Sequence, residues 1–219
     1  MSVGMDSFGP GAIWQPSGKF PTEGHLVVVL HGRGDSPKGF TWFQSELNLP
    51  DVSVLLLPAP DPYYDGLSWY DLPPDQLPGI KRSRKILEDA FHKLLVLGFP
   101  PERCFLFGFS QGCLMTLEFG ARFPLLLAGY IGVSGYCYDP FVLLKEASKN
   151  IITSGNWLIT HGTLDSVLPV EKTRAQIKEL IEGGFAIDYR EFPKLHTIEP
   201  EHEMGAIREW IKKRLYLKS

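Results

Sequence analysis

Short apolar runs alternate with longer amphipathic stretches along the chain. Residues 25–31 (HLVVVLH) are rich in β-branched and leucine side chains and stop at Gly32, the pattern of a buried strand. Residues 52–57 (VSVLLL), stopped by Pro58, and residues 103–107 (RCFLF), stopped by Gly108, read the same way. Residues 128–133 and 157–160 supply two further strands. Residues 186–192 (AIDYREF) supply another, whose apolar–polar alternation predicts an edge position. Between these runs, residues 81–97 carry Ile86, Leu87, Ala90, Phe91, Leu94 and Leu95 at helical spacing and end at Gly98. Residues 113–123, 170–181 and 200–215 read as three more helices, the third of this set of four being followed by Gly183 and Gly184.

Strands that alternate with helices pair in parallel through crossover connections. The expected fold class is therefore α/β: a mostly parallel sheet with helices on both faces. A length of 219 residues suits one such domain, spanning residues 1–219. In sheets of this kind ligands bind at the carboxyl ends of the strands, so the residues just after each apolar run carry the candidate chemistry.

Gly108-Phe109-Ser110-Gln111-Gly112 lies between a strand and a helix. Gly-x-Ser-x-Gly alone is a weak pattern, but this context is the one a nucleophilic serine needs: a sharp turn that exposes Oγ, with small flanking residues. Ser110 is the candidate nucleophile. His31-Gly32-Arg33-Gly34-Asp35 follows the first strong strand, and a glycine-rich turn there can aim backbone N–H groups at a developing oxyanion. The N–H groups of Arg33 and Gln111 are the candidate donors. A serine hydroxyl also needs a base, and the base an orienting acid, in the chain order Ser, Asp, His. Asp165 follows the strand at 157–160, and His196 follows the strand at 186–192. Asp139, Asp188 and His202 are less suitably placed. His31 and His161 read as supports for their turns.

Charge and cysteine usage narrow the class. The net charge is -3, which gives no field attractive to nucleic acid or to an anionic membrane. No apolar run approaches the ~20 residues of a membrane span, and the first residues lack the basic-then-apolar pattern of a signal peptide. Cys104, Cys113 and Cys137 have no metal-ligand spacing, and no H-E-x-x-H occurs, so no metal is expected. Cys104 and Cys113 read as small buried hydrophobes. A reducing, cytoplasmic location follows as the simplest expectation.

The motifs LHGRGDSP (30–37), SWYDL (68–72), GFSQG (108–112), HGTLDSVLPV (161–170) and His196 together resemble the phospholipase/carboxylesterase family of α/β-hydrolases, which includes acyl-protein thioesterases and small bacterial carboxylesterases. The likeness spans nearly the whole chain. It implies an α/β-hydrolase fold, a cofactor-free esterase or thioesterase, and a small-molecule ester or thioester substrate. It supports Ser110, Asp165 and His196 as the triad and Arg33 and Gln111 as oxyanion donors. It also implies that Leu67, Trp69 and Leu168 lie near the acyl pocket. Three positions depart from the pattern: Arg33 stands where Leu is usual, Cys113 replaces a second Gly, and Leu195 replaces the Gly many members carry before the histidine. The expected activity is hydrolysis of small or medium acyl esters. Protein depalmitoylation, lysophospholipid hydrolysis and a non-catalytic binding role are the alternatives. The proline-rich connector at 58–79 reads as a rigid pocket wall.

Overall fold

The computed structural model describes residues 5–18 and 24–215. Nine strands are present among them: β1 (Ile13–Gln15), β2 (His25–Leu30), β3 (Val52–Leu57), β4 (Asp61–Tyr63), β5 (Gly66–Ser68), β6 (Cys104–Phe109), β7 (Gly129–Val133), β8 (Trp157–Gly162) and β9 (Ile187–Phe192). Seven form one sheet in the order β1-β3-β2-β6-β7-β8-β9. Every pair in it is parallel except β1 with β3, which is antiparallel. The helices are α1 (Phe43–Leu47), α2 (Gln76–Val96), α3 (Gln111–Gly120), α4 (Pro140–Glu146), α5 (Lys149–Ser154), α6 (Val170–Glu182) and α7 (His202–Leu215).

Strand pleating sends alternate side chains to opposite faces, and two apolar layers result. Leu26, Val28, Leu30, Leu55, Leu106 and Ile159 join one layer with side chains from α2, α3 and α6. Val27, Val29, Val54, Phe105, Phe107 and Leu158 join the other with Phe43 of α1 and Met204, Ile207 and Trp210 of α7. The near-continuous apolar runs of the inner strands are the sequence signature of this burial on both faces. β9 lies at the sheet edge, and all its residues are half-buried, as its alternation predicts.

The six expected strands and four expected helices are all present, with shifted ends. β6 runs on to Phe109, and α3 starts at Gln111, directly after the nucleophile candidate. α2 starts at Gln76 instead of Lys81, and Pro78 sits in its first turn, where a missing N–H costs nothing. The connector at 58–79 is not all irregular: it folds as a β4–β5 hairpin before entering α2. β1, α1, α4 and α5 are additions, each too short to give a periodic signal.

Candidate active site

The site begins at the turn from β6 into α3. Ser110 occupies φ 55° and ψ -112°, a left-handed conformation costly for a residue with a Cβ. It is held because the strand and helix leave no room for anything else. A Cβ on Gly108 would lie 2.0 Å from the carbonyl oxygen of Gly112, and one on Gly112 would lie 2.2 Å from that of Leu30. The two glycines of the motif are therefore close-approach positions, and the sharp turn between them drives the Ser110 side chain out of the sheet. The Ser110 N–H donates to Val133 O at 2.9 Å, which fixes the turn to the neighbouring strand.

A chain of hydrogen bonds leads away from the serine. Its Oγ lies 2.9 Å from His196 Nε2, and His196 Nδ1 lies 2.7 Å from Asp165 Oδ2. The acid requires the Nδ1–H tautomer, which leaves Nε2 as an acceptor for the hydroxyl proton. Asp165 Oδ1 is occupied separately, by the N–H groups of Val167 at 2.9 Å and Leu168 at 2.8 Å. Burial alone would raise this carboxyl, but the Leu168 N–H, the His196 ring and the Val167 N–H outweigh it and hold the carboxyl below its ordinary range. Asp165 is thus an anion fixed at both oxygens. His202, the alternative base, is the exposed first residue of α7.

Two further histidines, His31 and His161, brace turns, as the sequence suggests. His31 Nε2 accepts from the Ala59 N–H at 3.1 Å, so Nδ1 carries the proton and donates to Gly32 O at 2.7 Å. His161 Nε2 donates to Leu168 O at 2.8 Å and closes the loop that presents Asp165. Burial lowers the affinity of both rings for a second proton, which keeps them neutral.

The loop after β2 lies against Ser110: a Cβ on Gly32 would come within 3.4 Å of Ser110 Cβ. Several neighbouring amides are engaged. Gly34 N donates to Leu67 O at 2.8 Å, and both Cys113 N and Leu114 N donate to Ser110 O. The N–H groups of Arg33 and Gln111 have no acceptor among the described residues. Both are unengaged, as a donor to a developing oxyanion must be.

Beside His196 opens a cleft of about 480 Å³, lined by Phe40, Trp42, Phe109, Ile198, Asp35 and Glu46, among others. The residues expected to line an acyl pocket do not line this cleft. Trp69 is fully buried. Its indole N–H donates to His31 O at 2.9 Å, and its backbone N–H donates to Gln111 Oε1 at 2.9 Å. Gln111 also receives the Ser68 hydroxyl at 3.2 Å and donates to Tyr70 O at 2.8 Å. The SWYDL segment is therefore an anchor for the elbow. Leu67 is half-buried in β5 and packs on the core, and Leu168 is half-buried in the acid loop, away from the cleft lining. Phe40 and Trp42 escaped the sequence reading because they sit in a short turn-and-helix segment with no periodicity. Their one visible signal is the aromatic density of GFTWF (39–43).

The model of one family, described as phospholipase/carboxylesterase, matches residues 17–215. The chain belongs to the phospholipase/carboxylesterase family. Among the relatives of this family member, acyl-protein thioesterase 1 of Schizosaccharomyces pombe is 33% identical over 72% of this chain and 75% of its own length. A probable carboxylesterase of Oryza sativa is 27% identical over 87% of this chain and 77% of its own. The crystal structure of Arabidopsis thaliana SOBER1 superposes with a TM-score of 0.79 at 25% identity, covering 87% of this chain and 99% of that one. Among the described residues no helix is long and apolar enough to cross a membrane.

The structure gives the Arg33 side chain a location. The guanidinium stacks over the Tyr63 ring at 5.0 Å from the centroid, on the β4–β5 hairpin. Arg33→Leu is expected to keep kcat on neutral esters within about tenfold of wild type, because the donor is unchanged. Initial rates on neutral and acidic esters check this. A KM rise confined to acidic esters would assign the guanidinium to substrate binding, and a large kcat loss on neutral esters would contradict the backbone role.

Proposed function

We propose that this chain is a serine hydrolase that cleaves carboxylic esters of small or medium acyl groups through an acyl-enzyme, with Ser110 as nucleophile, His196 as base and Asp165 as the orienting acid. The observation that carries this reading is the continuous hydrogen-bonded path from Ser110 Oγ through His196 to Asp165, with the unpaired N–H groups of Arg33 and Gln111 beside it. His196 Nε2 takes the hydroxyl proton as Oγ adds to the carbonyl carbon, and the two N–H groups receive the oxyanion. The tetrahedral intermediate collapses, and His196 gives its proton to the departing alcohol or thiol. Water, deprotonated by the same nitrogen, then attacks acyl-Ser110 and regenerates the hydroxyl. Asp165 holds the Nδ1–H and stabilises the imidazolium of each step.

The aromatic cleft is the natural seat for the acyl group. Each CH₂ it buries contributes about 0.8 kcal/mol, roughly fourfold in kcat/KM, until the chain outgrows the cleft. Specificity constants across an ester series are expected to climb to a medium length and then level off. Trp42→Ala should flatten the climb while leaving the shortest ester nearly unchanged. The relatives named acyl-protein thioesterase favour a second reading, in which the acyl chain is long and carried on a protein. A kcat/KM that keeps rising to palmitoyl length, and exceeds it on the thioester, would select that reading.

A fluorophosphonate probe tests the central proposal. It should modify one residue, and peptide mass spectrometry should find the adduct on Ser110. A protein that takes no label is a binding module on the same fold. We further read residues 1–219 as one domain. The enzyme suits a reducing, cytoplasmic setting, since Cys104, Cys113 and Cys137 are buried and unpaired, and burial pushes Cys104 and Cys113 up to about 12.

A further inference from the structure

One buried charge near the triad has no part in the chemistry above. Lys194 lies two residues before His196, with its side chain 2% exposed, and its ammonium meets Glu203 Oε2 at 2.7 Å, a carboxylate with no exposed surface. The same ammonium donates to Ser134 Oγ at 2.8 Å and to Thr197 O at 2.6 Å. Ser134 directly follows Val133, the last residue of β7, whose carbonyl holds the Ser110 N–H. Thr197 is the residue after His196. The Lys194 carbonyl also accepts the Leu164 N–H at 3.1 Å, in the loop that presents Asp165. Across His196 itself, Thr197 N donates to Leu195 O at 2.8 Å, a tight turn with the histidine at its centre.

Stability does not account for this pair. Apolar side chains of similar volume commonly replace a buried ion pair without loss, because two charges must be stripped of water to make it. What an apolar pair lacks is direction. An ammonium has three donors, and here each has a different acceptor: the end of β7, the backbone beyond the base, and the first turn of α7. Of these, the Thr197 carbonyl belongs to the loop that carries His196.

We propose that Lys194 is a positioning residue for His196: its ammonium, with Glu203 as counter-charge, ties the loop of the base to the strand end that fixes the nucleophile. The proposal rests on reading Ser110, His196 and Asp165 as the triad. The base then stands at hydrogen-bonding distance from Ser110 because its loop is clamped on both sides of the ring. A sub-ångström loosening of that clamp costs rate and not substrate affinity.

The test compares wild type, Lys194→Met, the double variant Lys194→Met/Glu203→Met and Ser134→Ala, each as the full chain. Steady-state hydrolysis of a nitrophenyl ester, Tm, and the downfield proton resonance of the His196–Asp165 bond are measured. Lys194→Met should lower kcat about 10- to 100-fold with KM within about threefold, the signature of a misplaced group. The double variant should regain the Tm that the single variant loses, but neither its kcat nor a sharp downfield resonance. Recovery of kcat together with Tm would overturn the proposal, as would wild-type kcat in Lys194→Met. If Lys194→Met does not fold, Ser134→Ala decides: it keeps the ion pair and deletes one tether. A severalfold loss of kcat at constant KM supports the proposal, and an unchanged kcat overturns it. A wild-type protein that neither hydrolyses esters nor takes a fluorophosphonate label overturns the triad reading as well, and the wild-type control tells the two failures apart.

Discussion

Ser110→Ala is expected to lower kcat by a factor on the order of 10⁴ to 10⁶ and to abolish fluorophosphonate labelling, with little change in folding. The size follows from the loss of the covalent route, since among the described residues no other hydroxyl shares a hydrogen bond with His196. The stability expectation follows from geometry. Alanine suffers the same strain as serine at φ 55°, and the freed Nε2 lies on a partly exposed ring that water can reach. A change under about 1 kcal/mol in unfolding free energy is expected. His196→Ala should fall to the same floor, and the double variant no lower, because the two side chains act as one unit. Rates from a nitrophenyl ester and Tm values suffice. More than a tenth of wild-type activity in Ser110→Ala would end the assignment, and an active His196→Ala beside a dead His202→Ala would move the base.

Asp165→Asn should cost about as much as an outright loss of the base, on the order of 10⁴ in kcat, although it changes one atom. The reason lies in how the carboxylate is held. Oδ1 faces two N–H donors, from Val167 and Leu168, so the amide NH₂ cannot occupy that position. The amide oxygen takes it, and the NH₂ faces His196 Nδ1, where Oδ2 stood at 2.7 Å. An NH₂ donates, so Nδ1 becomes an acceptor and the ring proton moves to Nε2. That nitrogen then offers a proton to Ser110 in place of accepting one. The variant should fold with a Tm near wild type and bind substrate with a similar KM. A kcat within tenfold of wild type would show that the acid does not set the tautomer.

The parts of this site that could be read in the chain are those whose physics is local. Gly108 and Gly112 bracket Ser110 because the backbones of the elbow and of β2 approach too closely for a Cβ, and that demand shows as a five-residue motif. Asp165 and His196 are legible because each lies a few residues beyond the end of a strand pattern, and in a parallel sheet those strand ends share one edge. Trp69 shows the opposite. Its motif marks it, but whether an indole faces substrate or core depends on Gln111 and His31, more than thirty residues away in either direction, whose hydrogen bonds bury it. Phe40 and Trp42 carry no periodic signal, and only the packing of their short segment beside Phe109 and His196 turns them into a cleft wall.

By itself, then, the sequence determined the strands, the principal helices, the parallel sheet and the identities of the nucleophile, acid and base candidates. These follow from side-chain periodicity and from short-range sterics, which act between residues close in the chain. Only the tertiary structure decided which apolar residues line the cleft, which oxygen of Asp165 meets the base, where the Arg33 guanidinium goes and what surrounds Lys194. Each of those depends on contacts between segments far apart in sequence, such as Arg33 with Tyr63 or Lys194 with Ser134. Their distances are fixed by the packing of the two layers on the sheet, which no local pattern encodes.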